Sequence, residues 1–219
     1  ILGKRMINWL TTLTPAGTLF ENDTRLRPNG AAGFLVTSLD SFRRYQLREG
    51  DNAAWVWEHQ AISRARFAAG NPTVGKRFEE IRNEVLSQER KMNELQHEII
   101  DMRHKVHAGH LNHSSEFDLK HDPGGMVDIE FMVQFAVLAW AHSHPELARW
   151  SDNVRILEVL GKEGLFSSDE AQDLTQAAHQ AHHVRGRDAA IELDVAGLDL
   201  LGQVVRTHHV GPSGQRLLG

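Results

Sequence analysis

Apolar residues recur at helical spacing from the first positions of the chain: Leu2, Met6, Trp9, Leu10 and Leu13 share one face of a helix over 1–13. Thr14-Pro15 and Gly17 end that pattern. The run 18–27 (TLFENDTRLR), closed by the turn Pro28-Asn29-Gly30, predicts a strand, and 34–37 (FLVT) a second, shorter one. Alternation along the first strand sets Glu21, Asp23, Arg25 and Arg27 on one face, with Phe20 and Leu26 on the other, toward a core. Ser38 caps a helix through Tyr45, 48–52 is a break, and a helix over 53–69 carries Trp55, Trp57, Ile62 and Phe67 before stopping at Gly70. Asn71-Pro72 restarts a helix, with Asn as cap and Pro in the first turn.

From there the pattern is helical almost throughout. Met92, Leu95, Ile99, Met102 and Val106 form an amphipathic stripe with charges on the opposite face. A loop covers about 108–116, 117–120 (FDLK) reads as a brief strand, 122–125 as a turn and 126–142 as a long apolar helix. Further helices begin at Ser151 or Asp152 and at Ser168, and 211–219 reads as a frayed tail. The prediction is a mainly α chain of α+β type: a small mixed portion over 1–70, then a helical portion over 71–219.

Composition narrows the function. The 219 residues are 41% hydrophobic and 24% charged, as in a soluble globular protein. A net charge of −5 argues against a nucleic-acid partner held by bulk charge and leaves room for a local phosphate site. The absence of cysteine excludes disulfides, thiolate catalysis and zinc-thiolate sites, and is compatible with the cytoplasm. No apolar run is long enough for a membrane helix, and no signal peptide opens the chain. The first residue is not Met and lies within a helical pattern, as expected of a piece of a longer chain.

Four constellations carry candidate chemistry. On the predicted strand, Asp23 beside Arg25 and Arg27 suits a metal-bound triphosphate, because carboxylate oxygen holds Mg²⁺ and guanidinium grips phosphate; a solvated face of exposed ion pairs is the bland account. Asp128 and Glu130 are acids in a strongly apolar helix and call for basic partners from the mixed portion, or for the dipole at the helix start. His104, His107, His110 and His113 step by three, but Gly109 breaks the helix, so a polar helix end explains them better than a metal site. Trp55 and Trp57, with Arg64 and Arg66, suit either base stacking or core packing, and the latter is expected. No P-loop, GxGxxG, GxSxG or HExxH run occurs.

Taken together and in order, ENDTRLRPNGAAGFLVTSLDSFRRYQ, AWVWEHQAISRARFAAGNP, FDLKHDPGGMVDIEFMVQ and RWSDNVRILEVL resemble the bacterial glutamine synthetase adenylyltransferases over about residues 1–175. The likeness is to the C-terminal, adenylylating half of that two-headed enzyme. It implies part of a DNA polymerase β-like nucleotidyltransferase domain over 1–70 and a helical domain over 71–219. It further implies transfer of AMP from ATP to a tyrosine hydroxyl of glutamine synthetase, with Mg²⁺, in the cytoplasm and under control of the PII signal protein, to regulate nitrogen metabolism. By position, Asp23 becomes the third metal-binding carboxylate, Arg25 and Arg27 triphosphate or architectural arginines, and Asp128 and Glu130 pairing residues at the domain junction, where Arg27 is a candidate partner. The Gly-Ser…Asp-x-Asp run that supplies the other two carboxylates is absent, so the chain alone is expected to be inactive. The deadenylylating half, which splits adenylyl-tyrosine with phosphate, and a non-catalytic module that docks glutamine synthetase or PII are the rival readings.

Overall fold

The computed structural model describes residues 1–18, 22–25 and 27–184. Helix α1 (Leu2–Thr11) leads into a two-stranded antiparallel hairpin, β1 (Leu13–Thr14) with β2 (Gly17–Thr18), in which Leu13 faces Thr18. A short 3₁₀ turn (Gly30–Ala32) precedes α2 (Leu39–Gln46), α3 (Val56–Arg64), α4 (Pro72–Leu86), α5 (Met92–Ala108), α6 (Met126–Trp140), α7 (Glu146–Arg149), α8 (Asn153–Lys162) and α9 (Ser168–Val184). The described chain is therefore mainly α, as the periodicity predicts. Among the described residues no helix is long and apolar enough to cross a membrane.

The helix starts follow local chemistry. Ser38 Oγ accepts the Ser41 N–H at 3.2 Å, Asn71 Oδ1 the Thr73 N–H at 2.8 Å and Asp152 Oδ1 the Arg155 N–H at 3.0 Å. At α9, Ser167 and Glu170 cap each other's backbone N–H at 3.2 and 2.8 Å.

Helix α6 is the centre of the core. Met132, Phe135, Ala136, Val137 and Leu138 are buried around its whole circumference, and α3, α5, α7, α8 and α9 pack against it. A helix apolar on all sides is stable only when enclosed in this way. Helices α2 and α3, which fall within the predicted mixed portion, both pack on α4, and α3 also on α5 and α6.

Several expectations fail for identifiable reasons. Residues 22–25 and 27 form no strand, and the predicted strands at 34–37 and 117–120 are irregular. Phe20 and Leu26, expected to face a core, and Glu21 lie outside the described residues, as does the tail at 211–219. Helix α1 forms, but none of its residues is buried and Trp9 is 66% exposed. Helix α3 ends at Arg64, well short of Gly70.

That early stop has a cause far along the chain. Arg82, only 2% exposed, donates from Nε to the Ile62 carbonyl at 3.1 Å and from Nη2 to the Ser63 carbonyl at 2.6 Å. Its guanidinium also reaches the Ala148 carbonyl and, at 3.0 Å, that of Trp150. The carbonyls that would continue α3 are thus capped by a side chain of α4. The released segment turns Phe67 across α4 at Gly75, where a Cβ would come within 2.6 Å of the ring, and Phe67 N–H donates to Glu79 at 2.9 Å. Burial pushes the Arg82 guanidinium down from its ordinary value.

A second buried polar group joins α2, α3 and the α4–α5 turn. His59 Nε2 bonds the Gln46 carbonyl at 2.9 Å, and its Nδ1 takes the Arg90 guanidinium at 3.3 Å. With Nδ1 accepting, the ring is neutral and Nε2 carries the hydrogen. Burial, reinforced by the charges of Arg90 and Arg48, pushes His59 down to about 4.

Replacing Arg82 by Leu leaves buried carbonyls on α3 and around α7 without donors. Urea titration should then show a loss of about 3–5 kcal/mol, with Arg82→Lys recovering part of it. His59 gives a pH signature. The unfolded ring takes a proton near its ordinary 6.5 and the folded one only near 4. Acid therefore favours the unfolded chain: stability is full above pH 6.5 and falls by roughly 3 kcal/mol on the way to pH 4. Denaturation series across that window should be flatter in His59→Gln.

Candidate functional site

The segment after β2 is organised by its own side chains. Asp23 Oδ1 accepts the Arg25 backbone N–H at 2.8 Å and Nε–H at 3.0 Å, while Oδ2 accepts Nη2 at 2.8 Å. Both residues are exposed. The Arg25 side chain, by hydrogen bond first, holds the Asp23 carboxyl down at about 2, and Asp23 in turn raises the guanidinium. Arg27 does something different. It reaches the Thr24 carbonyl and donates to Ala31 O at 3.2 Å and Gly33 O at 3.4 Å, stitching the 3₁₀ turn closed. Asn29 takes the left-handed region at φ 61°, and at Gly33 a Cβ would lie 1.9 Å from the Pro28 carbonyl, so only glycine fits.

This turn is tied to the helices through one hydroxyl. Tyr45 Oη accepts the Asn29 N–H at 3.3 Å and donates to Glu58 at 2.9 Å. Glu58 also accepts the Trp55 N–H at 2.9 Å, capping α3. Between the turn and α2, α3 and α4 lies a cleft of about 340 Å³ whose lining includes Arg27, Phe42, Glu58, Arg64 and Phe78.

The expected common face is therefore realised only in part. Asp23 and Arg25 meet, while Arg27 is turned onto the backbone of 24–33. Neither Asp128 nor Glu130 meets Arg27. Asp128 pairs with Arg103 of α5, both nearly fully buried, and its Oδ2 accepts the Gly124 N–H at 2.6 Å. Arg103 also donates to the His121 carbonyl at 3.0 Å. Glu130 lies 3.8 Å from Arg64, which bonds Asn153 as well. Sequence reading missed Arg103, although a cation four residues past Ile99 on the inward face of α5 was the available signal.

Of the histidine series, His110 stacks on His121 with ring centres 4.3 Å apart, and His121 Nδ1 bonds Asp118 at 2.9 Å. Among the described residues no group of three or more His, Asp or Glu is arranged to hold a metal. Asp23 is a single carboxylate with both oxygens engaged by Arg25, so these residues do not by themselves fit a divalent-cation centre. Trp55, expected in the core, is 67% exposed because it stands at the N-cap of α3, and Trp57 is half-buried.

Comparison with known proteins places this geometry in context. The family model for glutamate-ammonia ligase adenylyltransferase matches residues 1–81, and that for GlnD PII-uridylyltransferase matches residues 81–187. The chain is 57% identical over 176 residues to the bifunctional glutamine synthetase adenylyltransferase/adenylyl-removing enzyme of Burkholderia pseudomallei, covering 80% of this chain and 19% of the relative. The enzymes of the same name from Ralstonia nicotianae and Pseudomonas aeruginosa are 59% identical over 151 residues and 47% identical over 204 residues, covering 69% and 87% of this chain and 16% and 20% of theirs. The chain spans about a fifth of the length of the curated relatives it matches.

The two acids of α6 should separate cleanly on substitution. Asp128→Ala leaves Arg103 buried without its counter-charge and should cost about 3–5 kcal/mol in a thermal or urea melt. Glu130→Gln, in a partly exposed pair, should cost less than about 1 kcal/mol.

Proposed function

This chain belongs to the glutamate-ammonia ligase adenylyltransferase family, and from that premise we propose that it is part of the adenylylating half of such an enzyme, which moves AMP from ATP to a tyrosine hydroxyl of glutamine synthetase and releases pyrophosphate. The observation that supports the reading is 57% identity over 80% of the chain to a relative named for both adenylylation and adenylyl removal, together with the match of the adenylyltransferase family model to residues 1–81, which include Asp23, Arg25 and Arg27. On this reading residues 1–70 complete a DNA polymerase β-like nucleotidyltransferase domain and 71–219 form the helical domain that follows it.

The residues divide the work as their contacts suggest. Arg25 is exposed and oriented by Asp23, which leaves guanidinium hydrogens to fork onto phosphate oxygens. Arg27 is architectural, since carbonyls occupy it and hold the turn that Asn29 and Tyr45 join to the bundle. Preorganised cations of this kind stabilise charge that develops as pyrophosphate leaves. Magnesium accompanies ATP in the reading implied by the family; Asp23, matched by position to that family's third carboxylate, has both oxygens on Arg25 and would have to exchange that pairing to contribute to it. The other ligands are not among the described residues, and the chain has no Asp-x-Asp run. The isolated chain is accordingly inactive on this reading. Similarity of 81–187 to the PII-uridylyltransferase model supports the PII signal protein as regulatory partner, and the proposed substrate sets the reaction in the cytoplasm.

The test is the mass of glutamine synthetase after incubation with ATP, Mg²⁺ and this chain, beside a version with the upstream segment restored. Addition of AMP with the longer version alone is the expected result. No addition from either overturns the proposal, and release of ADP from adenylylated glutamine synthetase and phosphate would assign the chain to the opposite half.

A further inference from the structure

A groove runs along α5, walled on its other side by the turn after α2 and the first residues of α3. Two cavities make it up, of about 610 Å³ and 450 Å³, and Arg48, Val56 and Glu98 line both. Its lining on the α5 side extends from the cap residue Lys91 to Lys105, which at 1.5 Å per residue is about 21 Å of helix. That length takes roughly six residues of extended chain. Trp55 lines the larger cavity with 67% of its surface exposed. Its backbone is fixed on both sides: the N–H donates to Glu58 at 2.9 Å, and the carbonyl accepts the N–H groups of Glu58 and His59 at 3.0 and 3.3 Å. An exposed indole on a fixed backbone gives up little freedom when it is covered, and tryptophan is enriched among the residues that dominate protein–protein binding. Trp57 adds a half-buried indole to the same cavity.

Charge decides what covers these rings. Asp51, Glu98 and Asp101 line the larger cavity, and none of them forms an ion pair or side-chain hydrogen bond among the described residues. Only Arg48 and Lys105 stand against them in that lining, so negative charge is in excess. In the neighbouring cavity Lys91 is already held by Glu94 at 2.8 Å, and Glu89 adds a further acid without a partner among the described residues. Carboxylates alone would be a solvated face. Beside an exposed indole they favour a cation that also lies against an aromatic ring, as guanidinium and ammonium groups do. We propose that this groove docks an extended, arginine- or lysine-bearing segment of a partner protein, independently of the AMP-transfer reading. Trp55 is the anchor of that surface, and Glu98 and Asp101 supply its counter-charge.

NMR titration of the ¹⁵N-labelled chain with a blocked hexapeptide of alternating arginine and glycine tests it. The indole N–H signals of Trp55 and Trp57 should shift saturably. Trp9, 66% exposed on α1, a helix without an acid, is the internal control and should not move. Trp55→Ala should weaken binding about tenfold, and Glu98→Gln combined with Asp101→Asn at least about fivefold. Trp55, Glu98 and Asp101 are exposed, so circular dichroism should show each variant folded as the parent is. The same peptide with glutamate in place of arginine should leave the Trp55 signal where it was. No shift at Trp55, an equal shift at Trp9, equal binding of the glutamate peptide, or an affinity unchanged in Trp55→Ala each overturns the proposal.

Discussion

The helical bundle depends on a cation buried without a carboxylate at hydrogen-bond distance. Arg82 is 2% exposed, and its guanidinium is satisfied by the carbonyls of Ile62, Ser63, Ala148 and Trp150. Burying an unpaired charge is expensive, and here the cost is offset by donors that the surrounding backbone needs. These carbonyls stand at the end of α3 and in and just after α7, where the helices run out of backbone donors, and that of Ile62 keeps one, the Ala65 N–H at 3.1 Å. One side chain from α4 satisfies both sets, so it joins three elements that would otherwise meet only through apolar contact. It also decides where α3 stops, and through that stop it sends 65–70 back across Gly75.

The candidate site inherits its position from this arrangement. With α3 placed, Glu58 faces Tyr45, and the Tyr45 hydroxyl carries the connection on to Asn29 and the Arg27 turn. Three backbone carbonyls on Arg27 then keep that turn closed. The exposed pair Asp23 and Arg25 lies at the outer end of this chain of contacts, beyond a framework set by buried groups. Such an order, with rigid helices behind and a short charged segment in front, is what positions phosphate-binding groups in general.

The two acids of α6 show how far sequence reasoning reaches. That Asp128 and Glu130 need basic partners follows from their apolar neighbours. Which bases answer does not. Arg103 reaches Asp128 because α5 and α6 pack side by side with the loop 109–125 folded between them, and Arg64 reaches Glu130 because α3 lies on the same helix. The strand expected at 18–27 failed in the described residues for a related reason. Alternation brought Asp23 and Arg25 together, but a strand needs a neighbour to take its backbone hydrogen bonds, and residues 22–25 have none. Trp55 was misread because a cap position and a core position look alike in a hydrophobic pattern.

What the amino-acid sequence determined by itself is the set of local events: the periodicity of α5, α6 and α8, the caps at Ser38, Asn71 and Asp152, and the glycine-bearing turn after Arg27. These rest on groups within a few residues of each other, so the information is contiguous. What only the tertiary structure decided is where α3 ends and which arginine neutralises Asp128. Those outcomes join residues 19 to 68 positions apart. They depend on which buried group finds which partner once the helices close, and no short stretch of sequence encodes that.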